Sequence, residues 1–163
     1  MPLRGRPAPA APDGRPGPAR RHVVFALGGI EHAVPAQQVR HSLPADGEVG
    51  RELDFLGQTY PVVDLRSLFR LPGPPASTRL ILLVEGDGVR AALVVDRLVD
   101  LVLLEAAAIV PLPPVFAGVE RRWFTGLARL GPRILLVLRV EGILGAQSAP
   151  AAASALHAAA AAG

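Results

Sequence analysis

Asp64, Asp96 and Asp100 are the carboxylates whose setting invites a chemical reading. Asp64 closes the apolar run Tyr60-Pro61-Val62-Val63, and Asp96 closes Ala92-Leu93-Val94-Val95. Two acids facing one site can divide general-acid and general-base work, but no histidine, metal motif or cofactor loop stands beside these. His22, His32, His41 and His157 have no partners at metal-ligand spacing, and HExxH is absent. None of Ser42, Ser67, Ser77, Ser148 and Ser154 sits in G-x-S-x-G. There is no lysine, hence no P-loop lysine. The acids are therefore expected to cap turns or pair with arginine. No catalytic, metal-binding or cofactor-binding residue is expected.

The chain of 163 residues suits one domain with tails, and half of its residues are hydrophobic. Cysteine is absent, which excludes disulfides and thiolate zinc sites and fits a reducing, cytoplasmic setting. The net charge of +3 is uneven. Residues 1–21 hold five arginines (Arg4, Arg6, Arg15, Arg20, Arg21), one acid and six prolines. They are expected to be a disordered basic tail. Residues 22–145 then carry 12 basic and 13 acidic side chains, a nearly neutral core. The Ala-rich segment 146–163 is expected to be a second tail. No apolar region follows the N-terminal charges as in a secretory leader, and no stretch suits membrane insertion.

Between the tails the pattern is β. His22–Leu27 and Ile30–Val34 flank Gly28-Gly29; Arg79–Glu85 and Val89–Val95 flank Gly86-Asp87-Gly88; Trp123–Leu130 and Arg133–Leu138 flank Gly131-Pro132. Each reads as a hairpin on a turn that tolerates positive φ. Leu80–Val84 and Ile134–Leu138 are unbroken apolar runs, expected to be buried on both faces. Tyr60–Asp64 and Leu98–Leu104 are further strands. Leu65–Leu71 is a candidate for one or two helical turns capped by Asp64, and Val140–Leu144 for a short helix ending at Gly145. Val62, Leu93 and Leu136 are expected in the core. Several short strands with regular turns imply a barrel or sandwich.

These segments, in order, resemble the CheW-like domain found in bacterial chemotaxis adaptors and in the regulatory domain of the kinase CheA. Val24-Phe25-Ala26-Leu27-Gly28 with Ala33-Val34-Pro35 and Val39 resembles the family's opening hairpin. Gly57 with Tyr60-Pro61-Val62-Val63-Asp64-Leu65-Arg66 is similar to its Gly-x-x-x-Pro-hydrophobic-hydrophobic-Asp-Leu motif. Ala92 to Leu98 resembles its Val-Asp strand end, and Ile109 to Pro113 its proline-containing loop. Phe124-Thr125-Gly126-Leu127 and Ile134 to Leu138 resemble its last hairpin. The resemblance covers roughly 22–145. It implies an all-β fold of two small SH3-like five-stranded barrels on a shared core, with short connecting and terminal helices. It also implies a non-enzymatic adaptor without cofactor, which bridges a CheA-type kinase regulatory domain to the cytoplasmic tip of a chemoreceptor. In the family a barrel pairs with a related barrel of the kinase, and a groove between the two barrels receives the receptor.

Two features depart from the family. Leu56 stands where an arginine usually precedes Gly57, and the segment Val39 to Asp54 is short. Both fall in the first barrel, near the expected receptor groove. They open a second reading, a divergent scaffold that binds one of the usual partners. The candidate partner-binding residues are Leu56, Gly57 and Gln58 at that motif, Val39 and Arg40 after the first hairpin, and Asp96, Arg97, Val99 and Asp100 around the Val-Asp strand end. A third reading, a nucleic-acid-binding barrel, needs a basic groove with aromatic platforms. The core is near neutral, and its aromatics (Phe25, Phe55, Tyr60, Phe69, Phe116, Trp123, Phe124) sit mostly in apolar contexts, so no nucleic-acid partner is expected.

Overall fold

The computed structural model describes residues 17–116, 118 and 120–148. Eleven strands among them form two sheets. The first hairpin is β1 (Ala19–Leu27) and β2 (Ile30–Pro35). A 3-10 turn, Ala36–Gln38, then carries the chain across to β3 (Val39–Pro44). β4 (Glu52–Phe55), β5 (Gln58–Asp64), β6 (Leu80–Gly86) and β7 (Val89–Val95) complete a five-stranded sheet ordered β3-β6-β7-β5-β4. Asp96 alone separates β7 from β8 (Arg97–Glu105), which returns the chain to the first sheet. A second 3-10 turn leads to the two-residue β9 (Ile109–Val110), and β10 (Phe124–Leu130) and β11 (Arg133–Leu138) follow. This sheet has six strands, ordered β8-β1-β2-β11-β10-β9.

Alternation along the strands creates three apolar clusters. In β6, Leu82 and Val84 face one way and Ile81 and Leu83 the other; in β7, Ala91, Leu93 and Val95 oppose Ala92 and Val94. In the six-stranded sheet, Phe25, Leu27, Val34 and Leu138 face that same first cluster, while Val24, Ala33, Leu135 and Val137 face a third. One cluster thus lies between the sheets and each sheet also encloses its own. This is the physical content of two SH3-like barrels on a shared core. The strands that serve two clusters need apolar residues at every position, which explains the unbroken runs.

Helices close the ends. α1 (Leu65–Leu68) starts at Asp64, whose carboxylate accepts from the N–H groups of Arg66 and Ser67 at 3.1 and 3.4 Å. α2 (Glu120–Trp123) packs against α3 (Val140–Ser148). A side chain at Gly142 would overlap the Arg122 carbonyl, so the close approach of these helices demands glycine there.

Some local expectations shift. β1 begins at Ala19, so Arg20 and Arg21 belong to a strand that pairs with β8 rather than to a tail. α3 continues through Gly145, so that residue does not end the helix. Trp123 closes α2 instead of opening a strand. Ile134 is 61 % exposed, because its strand projects past the shared cluster at that end. β3 and β4 have no counterpart in the sequence expectations. The remainder of both expected tails, 1–16 and 149–163, lies outside the described residues.

Candidate partner-binding surface

The candidate residues fall at two places. The first is the outer end of the five-stranded barrel. Leu56 and Gly57 form the two-residue turn between Phe55 and Gln58, and Leu56 is 78 % exposed. Val39 opens β3, pairs with Val84 and packs half-buried on the shared core, while Arg40 is exposed. β3 and β4 stand at opposite ends of the sheet order, yet the His41 and Phe55 rings meet at 4.7 Å. That contact closes the barrel and sets the start of β3 beside the Leu56 turn.

The second place is the corner between β7 and β8. Here Asp96 is occupied by the fold. It accepts from the Gly28 N–H at 2.8 Å and from Arg66 Nη1 at 3.2 Å, and its own N–H donates to the Ala26 carbonyl. The charge pair at this corner is therefore Asp96 with Arg66, not with Arg97, which is exposed. Val99 is a bulge residue: Val24 pairs with Asp100 and Phe25 with Leu98, which leaves Val99 extra and half-buried against the six-stranded barrel's interior. Asp100 accepts from the Leu101 N–H at 2.8 Å and from Arg133 Nη1 at 3.2 Å. Arg133 also donates to Glu31 at 2.8 Å, so it links β11, β2 and β8.

The strongest surface feature lies just beyond. Leu98, Leu101 and Leu103 on β8 are 40, 55 and 61 % exposed. They pair with Phe25, Val23 and Arg21, so the bulge puts all three on one face of the sheet. β8 is the last strand in its sheet order, and the five-stranded barrel covers only part of this face. The result is an apolar stripe with Arg21 beside it. Such a stripe suits protein docking. The sequence carries its signal in Leu98–Leu104, which is apolar at all positions but Asp100 although only Val102 and Leu104 are buried.

His22 and His32 serve the interior. His32 is buried and stacks on Phe25 at 5.4 Å and on Phe69 at 5.7 Å. Burial pushes it down to about 4, against the weaker opposite effect of the Ile30 carbonyl at its Nδ1. Burial likewise lowers His22, whose Nδ1 lies 3.0 Å from the Arg20 carbonyl.

The family model for the CheW-like domain matches residues 21–148. The chain belongs to the CheW-like domain family. It is 27 % identical over 135 residues to the chemotaxis protein CheW of Klebsiella aerogenes, covering 77 % of this chain and 81 % of that protein. The fold is similar to the crystal structure of the scaffolding protein TtCheW from Thermoanaerobacter tengcongensis, with a TM-score of 0.66 at 21 % identity over 74 % of this chain and 89 % of that one. Family model, relative and fold agree on a CheW-like module. Among the described residues, no helix is long and apolar enough to cross a membrane.

Proposed function

We propose that this CheW-like module couples a CheA-type histidine kinase to chemoreceptors in the cytoplasm, by protein contacts alone and without catalysis. The observation that carries the reading is the β8 stripe. Leu98, Leu101 and Leu103 lie exposed on one face of the sheet whose remaining area packs against the other barrel. A stripe bordered by the second barrel fits the tip of a helical hairpin, while the barrels' outer strands remain for pairing with a kinase barrel. Val39, Arg40, Arg97 and the Leu56-Gly57-Gln58 turn are the further proposed contacts.

The test is titration against the regulatory domain of a CheA-type kinase and a receptor tip fragment from the same genome. Saturable binding to both, unchanged on deletion of residues 1–16, supports the adaptor. Binding that needs residues 1–16 and falls steeply with salt points to a polyanion instead. Binding to only one partner gives the divergent scaffold, a reading favoured by Leu56 at its hairpin tip.

A further inference from the structure

Where β5 ends at Asp64, at the far end of its hairpin from the Leu56 turn, the five-stranded barrel holds a cavity of about 420 Å³. That size suits a small molecule. The floor is apolar: Val94 belongs to the barrel's own cluster, and Val49 and Val62 pack on it. The rim carries two cations, Arg51 and Arg79, and two acids, Glu48 and Asp64.

The cavity is preformed. The loop that walls it is pinned at both ends. The Ala45 N–H donates to the Arg79 carbonyl at 3.0 Å, and the Val62 N–H donates to the Arg51 carbonyl at 2.8 Å. The four rim charges are not equally committed. Asp64 caps α1 with one carboxylate oxygen and accepts from Arg79 Nη1 at 3.3 Å with the other. Among the described residues, the side chains of Arg51 and Glu48 make no hydrogen bond or ion pair. An uncommitted cation and an uncommitted acid thus share the rim of one apolar cavity. A phosphate ester would meet two carboxylates there. A neutral apolar molecule would strip water from the rim charges and put nothing in its place. A ligand that carries both charges on an apolar body meets neither cost.

We infer that this cavity binds an aliphatic α-amino acid. Arg51 and the open side of the Arg79 guanidinium take the carboxylate, which suits their forked N–H groups. Glu48 takes the ammonium, and the aliphatic side chain lies on the three valines. The site belongs to this chain alone and needs neither signalling partner. It gives the module a small-molecule input of its own.

The experiment titrates the full chain with L-leucine by calorimetry. Three further probes each lack one feature: isocaproate the ammonium, leucinamide the carboxylate, and glycine the side chain. L-Leucine is expected to bind saturably with a Kd of about 1 mM or tighter, and each reduced probe about tenfold more weakly or worse. Arg51→Ala and Glu48→Ala are each expected to lower leucine affinity by about tenfold or more. Both side chains are exposed, so the urea midpoint should hold. The inference is overturned if neither L-leucine, L-valine nor L-methionine binds saturably. It is overturned equally if isocaproate binds as tightly as leucine, which would leave a plain carboxylate site. Leucine binding that survives Arg51→Ala unchanged would place the ligand elsewhere and overturn it too.

Discussion

Arg66 Nη1 donates to the Asp96 carboxylate at 3.2 Å, and this bond ties α1 to the corner where the chain passes from one barrel to the other. Arg66 also donates to the carbonyls of Pro72 and Pro74 at 2.9 Å, while Asp96 receives the Gly28 N–H. One largely buried ion pair thus fastens three loops. Removing one member leaves the other charge with no counterion. Asp96→Ala is expected to lower stability by about 3 kcal/mol, measured by urea unfolding. In a double-mutant cycle, Arg66→Met with Asp96→Ala should cost less than the sum of the two.

His32 sets a pH dependence whose sign is fixed. Its folded value of about 4 lies below the ordinary 6.5, so the unfolded chain takes up the proton first. Its contribution is full above about pH 6.5 and is lost as pH falls through that value towards 4, up to roughly 3 kcal/mol. His22 acts in the same direction. Urea midpoints should fall between pH 7 and pH 4.5, and His32→Phe should flatten that slope without abolishing it.

The β8 stripe and the shared core should respond oppositely. Leu101→Asp and Leu103→Asp alter exposed side chains and are expected to move stability by no more than about 0.5 kcal/mol while weakening partner binding. Leu82→Ala empties a fully buried site and is expected to cost about 2–5 kcal/mol. Parallel thermal melts and partner titrations would separate the two classes.

Gly142 sits where α3 meets the Arg122 carbonyl of α2. Gly142→Ala raises helix propensity, yet the clash should dominate and cost about 1–3 kcal/mol. A melting temperature equal to or above the parent's would show that the helices separate easily.

Much of the fold was legible in the residues. Glycine-marked turns announced three hairpins, and the Asp64 cap announced α1. What escaped depended on long-range pairing. β3 and β4 are short, partly exposed and carry Arg40, His41, Glu52 and Asp54, so no local periodicity reveals them; β6 and β5 hold them in place. The site was legible in part. Leu56 stood out by residue type, but its positive φ is a property of the turn. The outward leucines of β8 were hidden in an apolar run, because their direction is fixed by the bulge at Val99. Asp96 read equally well as contact or tie, and its bonds to Gly28 and Arg66 come from long-range approach that no local pattern reveals.

The five-stranded sheet is one continuous stretch, Val39 to Val95, inserted into the six-stranded sheet. During synthesis, β1 and β2 leave the ribosome long before β8 and β11, the strands that flank them. The later barrel can assemble all its own strands first. The β1–β2 hairpin must wait, with Phe25 and Val24 presenting apolar surface on both faces, until β11 has been made. Within this domain the strands translated first are among the last to be enclosed, which makes the β1–β2 hairpin dependent on protection during birth.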